Sequence, residues 1–182
     1  MSALTDQLPA LLGVLLGTSG TILATGIADR SRWQRQQAAR WDERRLQAYV
    51  EFANAVKEVH TYALRIANLN ALSHDVDREQ ALARMEEADI RRTKTWESVL
   101  LLGDAASITA AREWRAAVTD VARYARGMTR PEFELATEFD HANETRDRFY
   151  QAARASLGIR GPAVPQSDWL AEKLNLPARP DA

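Results

Sequence analysis

Glu138 and His141 form the one Glu-x-x-His pair in this sequence, and on a helix they share a face. Helical bundles hold two metal ions with two such pairs plus further carboxylates. The second pair is missing: three residues before His60 stands Lys57, and three before His74 stands Ala71. The ligand set of a dinuclear oxidase is therefore incomplete, and the histidines read as surface or hydrogen-bonded groups. The chain has no Cys, which excludes disulfides, thiolate metal sites, iron–sulfur clusters and cysteine nucleophiles. Ser107 and Ser156 fall near helix ends without a nucleophile-elbow motif. The GTSG of residues 17–20 follows no strand and lies inside an uncharged run, so it is not a phosphate cradle. The expectation is no catalytic residue, no metal and no cofactor: not an enzyme.

Nucleic-acid chemistry has equally little to build on. The net charge is −1, so the chain carries no overall basic bias. Arg91, Arg92 and Lys94 are flanked by Glu86, Glu87, Asp89 and Glu97, the pattern of a solvated helix face. Arg146 and Arg148 adjoin Phe149 and Tyr150 without a base-stacking arrangement around them. No nucleic-acid partner is expected.

The elements that must carry these residues are helices. Between Pro9 and Pro131 there is no proline, and after Gly26 the glycines are 103, 127, 158 and 161. Such a chain, rich in Ala, Arg, Glu and Leu and lacking period-2 β-branched runs, reads as all-α. The first helix of the folded domain is expected over about 29–70, with Leu46, Tyr49, Val50, Ala53, Val56, His60, Ala63 and Ala67 on its buried face. The second runs from Asp77, a capping residue with Gln80 three positions on, to Gly103, read as a left-handed cap. It buries Ala81, Met85, Ala88, Trp96, Val99 and Leu100. The third ends at Gly127 and carries the clearest stripe: Ile108, Ala111, Trp114, Val118, Val121 and Ala125. The fourth is expected from Thr129, with Glu132 as capping partner, to Gly158, lined by Leu135, Phe139, Ala142, Phe149 and Ala153. Short turns between them predict an antiparallel four-helix bundle with long, coiled-coil-like helices. The tail from Gly161 holds four prolines and a short helical stretch capped by Ser167, with Trp169 expected to dock on the bundle, a partner being the alternative.

The N-terminal run sets the functional expectation. No charge occurs between Asp6 and Asp29, and the 22 residues from Gln7 to Ala28 include six Leu, two Ile and one Val. As a helix they span about 33 Å, near the thickness of a bilayer's hydrocarbon core. Four Gly and four hydroxyl residues (Thr18, Ser19, Thr21, Thr25) weaken the run. A cleaved signal peptide needs basic residues before the apolar stretch, and residues 1–6 contain none. The prediction is a transmembrane helix continuing into the bundle. Residues 29–45 carry six Arg against three acids, which predicts a cytoplasmic C-terminal part and an N-terminus outside the cell membrane. Arg30, Arg32, Trp33 and Arg35 are the expected membrane-interface residues, and the bilayer is the expected lipid partner. Gly13, Gly17, Gly20, Ala24 and Ala28 form a small-residue stripe at spacings of 4, 3, 4 and 4, which predicts a homo-oligomer through the anchor.

The sequence thus divides into an anchor over 1–28, a cytoplasmic helical bundle over 29–160 and a proline-containing tail over 161–182. RSRWQRQQAARWDERR after the glycine-rich run, and RFYQAARASLGIRG at the end of the last long helix, give the layout a resemblance. It resembles a loose group of small actinobacterial single-pass membrane proteins with a helical cytoplasmic domain. That resemblance brings no catalytic residue and no assigned activity. The function expected is a membrane-anchored interaction or scaffold protein that meets an unidentified protein partner on the cytoplasmic side. A pore-forming or membrane-disturbing toxin or defence effector is the alternative from another class. A soluble binding module whose first helix packs in a protein interface is the third.

Overall fold

The computed structural model describes residues 8–67, 77–128, 132–167 and 169. Side chains are described from residue 39 onward within those ranges, and before it for Trp33 and Gln37. Four helices make up the described chain: α1 (Leu8–Ala67), α2 (Arg78–Leu102), α3 (Ala105–Ala125) and α4 (Leu135–Ser156). Among the described residues there is no strand. The chain divides into two compact units, Met1–Glu43 and Arg44–Ala182. This division falls inside α1, later than the change of polarity at 28/29. The segment read as transmembrane, residues 7–28, has its side chains outside the described residues. Among the described residues no helix is long and apolar enough to cross a membrane.

The second unit is an up-and-down antiparallel bundle, and cross-helix bonds fix its order. Arg45 on α1 bonds the carbonyl of Leu102 at the end of α2, and Arg91 of α2 pairs with Glu58 of α1. Arg78 at the start of α2 reaches the carbonyl of Ala125 at the end of α3. Arg148 of α4 pairs with Glu113 of α3, and Tyr49 of α1 meets Phe149 of α4 edge-on. Each helix therefore runs against its neighbours, which the short turns favour.

Phe52 sits at the centre and is fully buried. Its ring lies 5.7 Å from Trp96 on α2, 6.1 Å from Trp114 on α3 and 5.5 Å from Phe149 on α4. One side chain of α1 thus touches an aromatic ring from each other helix, at separations where ring pairs add to burial. Burying a Phe is worth about 1.5–3 kcal/mol. Val56, Val59, Met85, Val99, Val118 and Val121 complete the core along its length.

Four sequence expectations need correction. Leu46 and Val50 were placed on the buried face of α1, yet both are about half exposed, and Phe52, Val59 and Ile66 are buried instead. Leu100 is likewise exposed, at 40 %, and Val99 takes the core position one residue earlier. Gly103 is not left-handed: its φ of −74° and ψ of 155° are extended. A Cβ there would stand 2.7 Å from the Val99 carbonyl oxygen and 3.1 Å from Ile108 Cγ1, so close approach requires the glycine. The fourth helix begins at Leu135 rather than Thr129, and its cap Glu134 makes no side-chain capping bond. Phe133, two residues before that start, stacks on Tyr124 of α3 at 4.6 Å. Thr129 itself lies outside the described residues. Gly127 and Gly158 adopt positive φ after α3 and α4, as helix-terminating glycines do.

Candidate functional site

The best-constructed polar site lies at the end of the bundle holding Arg45. Arg45 Nε donates to the Leu102 carbonyl at 2.9 Å, and Nη1 to the Ser156 carbonyl at 3.3 Å. Those carbonyls close α2 and α4, so one guanidinium satisfies unpaired acceptors at two helix C-termini, where a cation is favoured. Ser156 Oγ lies 3.1 Å from the Tyr49 hydroxyl and 2.8 Å from the Ala153 carbonyl. Asp104 caps α3 here by accepting from the Ser107 N–H at 2.8 Å. Around this polar knot stand exposed apolar side chains: Leu46 and Val50 on α1, Leu100 and Leu101 on α2, and Ile159 beyond α4, with Leu101 82 % exposed. The groups gathered here tie the ends of α2 and α4 to α1.

A second polar set lies between α2 and α3. Arg92 is buried and donates to Asp89 at 2.6 Å, to Thr119 Oγ1 at 3.1 Å and to the Arg115 carbonyl at 3.4 Å. Arg126 joins it through Asp89 and Glu86. Burial lowers the Arg92 pKa from its ordinary value, against an upward push from Asp89. The solvated-face reading of Arg91, Arg92 and Lys94 therefore fails at Arg92, which faces α3. Arg115 lies over the Trp96 ring at 5.5 Å, closing the same seam.

The third set is on the α1–α4 seam. The His60 ring lies 5.6 Å from Phe139, and its Nε2 is sealed from solvent without a hydrogen-bond partner. Burial first, and then the Arg146 charge, lower its pKa from 6.5 to about 4. His141 points away into solvent, so the Glu138–His141 pair does not meet His60 in one site. Among the described residues no group of three or more His, Asp or Glu side chains is placed to hold a metal ion. His74 lies outside them.

The expected anchor residues Gly13, Gly17, Gly20, Ala24 and Ala28 all fall in the helical backbone of α1, with side chains outside the described residues. The same holds for Arg30, Arg32 and Arg35; Trp33 is exposed. Trp169 is 53 % exposed, so its expected docking on the bundle is not seen. The surface depressions among the described residues include the following two. One of about 260 Å³ lies against α4 and the tail, and one of about 200 Å³ lies near Tyr62, Arg65 and Gln80.

Sequence reasoning missed Arg45 and Arg92. Arg92 had a signal: it sits midway between Ala88 and Trp96 on the buried stripe of α2. Arg45 had none, because its partners are backbone carbonyls 57 and 111 residues away. No protein-family model matches the chain, and no curated protein and no solved structure is significantly similar to it.

Proposed function

We propose that this chain is a single-pass membrane protein whose cytoplasmic helical bundle is an interaction or scaffold module without catalytic activity. The observation that carries the reading is α1. This one helix begins with a run free of charge as far as Asp29, passes through six arginines by residue 45 and ends inside the bundle. A helix satisfies its own backbone polar groups, the condition for crossing lipid. The arginine-rich flank favours the cytoplasmic side for Arg30, Arg32, Trp33 and Arg35 and for everything after them. The Gly13, Gly17, Gly20, Ala24 and Ala28 stripe associates copies of the anchor. The bundle core is filled by aromatic rings, and the apolar rim near Arg45 is the surface offered to a protein partner.

The test is a charge placed in the run. Replacing Leu15 and Leu16 by Arg adds about 2.5–3.5 kcal/mol each to insertion. The substituted chain is expected in the soluble fraction while the parent chain stays with membranes. Equal distribution of the two sinks the anchor and returns the run to the interior of a protein interface.

A further inference from the structure

After α4 the chain reverses. Gly158 and Gly161 take positive φ values of 67° and 91°, and the following residues run back along the helix they have just left. The returning segment fully buries none of its own side chains. Of residues 158–167, eight are exposed and two are half-buried. Ala163 and Ser167 are half-buried, and Ile159, Val164, Pro165 and Gln166 are exposed. No apolar side chain in it reaches the core cluster, so hydrophobic burial does not hold it down.

A carboxylate does. Asp147 Oδ2 accepts from the backbone N–H groups of Gln166 and Ser167, both at 2.8 Å. Its other oxygen, Oδ1, lies 3.4 Å from Nε and Nη2 of Arg146, which fixes the carboxylate on the face of α4. Both side chains of that pair are largely buried, at 15 % and 14 % exposed. Two bonds from neutral N–H groups to one ionised acceptor are of the stronger, charge-assisted kind. Under the returning segment, Glu144, Arg148 and Gln151 of α4 line the depression of about 260 Å³ together with Ala163, Pro165 and Ser167.

We propose that residues 158–167 are a releasable strap over α4, latched at Asp147, and that its release uncovers Glu144, half-buried beside the exposed Arg148 and Gln151, while the bundle stays folded. The geometry separates the two: the strap is tied at a carboxylate on the outside of α4, and the core of that helix is Ala142, Phe149 and Ala153 on its other side.

Full-length chain carrying Asp147→Ala, beside Asp147→Asn, tests the latch. Amide hydrogen exchange and carboxyl labelling of Glu144 are read on the same samples. In Asp147→Ala, exchange at Gln166 and Ser167 should rise at least about tenfold, and Glu144 labelling severalfold, with core amides near Phe52 and Val118 unchanged. Asp147→Asn keeps an acceptor oxygen but loses the charge, and should place both signals between the parent and Asp147→Ala values. Unchanged exchange at Gln166 and Ser167 in Asp147→Ala would remove the latch. Faster exchange spread through the core amides would show that the tail is part of the bundle and not a strap.

Discussion

His60 offers a perturbation whose sign and size follow from its surroundings. The imidazole is held neutral by burial on the α1–α4 seam and by the positive charge of Arg146, so its pKa in the folded chain is about 4 against 6.5 when free. A depressed histidine stabilises the fold above its unfolded pKa. That stability is lost as pH falls from 6.5 toward 4, because the unfolded chain takes up a proton that the folded one resists. The gap between 6.5 and about 4, at 1.36 kcal/mol per pH unit, is about 3 kcal/mol, most of it gone by pH 4.5. Carboxylates titrate over the same range, so the assay is a difference of differences. Urea unfolding followed by tryptophan fluorescence, at pH 7.5 and pH 4.5, compares the parent chain with His60→Gln. The variant should lose about 2–3 kcal/mol less between the two pH values than the parent does. Equal losses would show that His60 is solvated in the folded chain and would refute its place against Phe139.

Two further outcomes follow from named contacts. Gly103→Ala brings a Cβ to 2.7 Å from the Val99 carbonyl oxygen, a backbone atom that cannot swing aside, and should cost about 1–3 kcal/mol by thermal unfolding. Replacing Gly13 and Gly17 together by Leu should weaken association of the anchor in a membrane two-hybrid assay, and an unchanged signal would discard the small-residue stripe as an interface.

The α3 helix was the most legible part of the fold. Its apolar residues keep one helical phase from Ile108 to Ala125, and Trp114, Val118, Val121 and Ala125 are buried as that phase requires. On α1 the sequence offers two phases, Leu46 with Val50 and Phe52 with Val59 and Ile66. What selects the second is the ring contacts of Phe52 with Trp96, Trp114 and Phe149, which exist only once the other three helices are in place. Asp77 was readable as a cap because its bonds are local: it accepts from Glu79 and Gln80. Gly103 was readable as a stop but not as a close approach, since the atoms that exclude a Cβ include Ile108, placed by the turn into α3. The Arg45 and Asp147 bonds were illegible for the same reason. Each joins a side chain to backbone groups whose position depends on how the chain folds back, and no spacing in the sequence records that.

The central claim is that α1 carries the bundle on a membrane. Carbonate extraction of membranes from cells making the full-length chain, beside a chain that begins at Ser31, tests it most directly. The account predicts that the full chain stays in the pellet and that the shortened one is soluble and helical. Release of the full chain into the supernatant would contradict it, and the orientation and the anchor's self-association would fall with it.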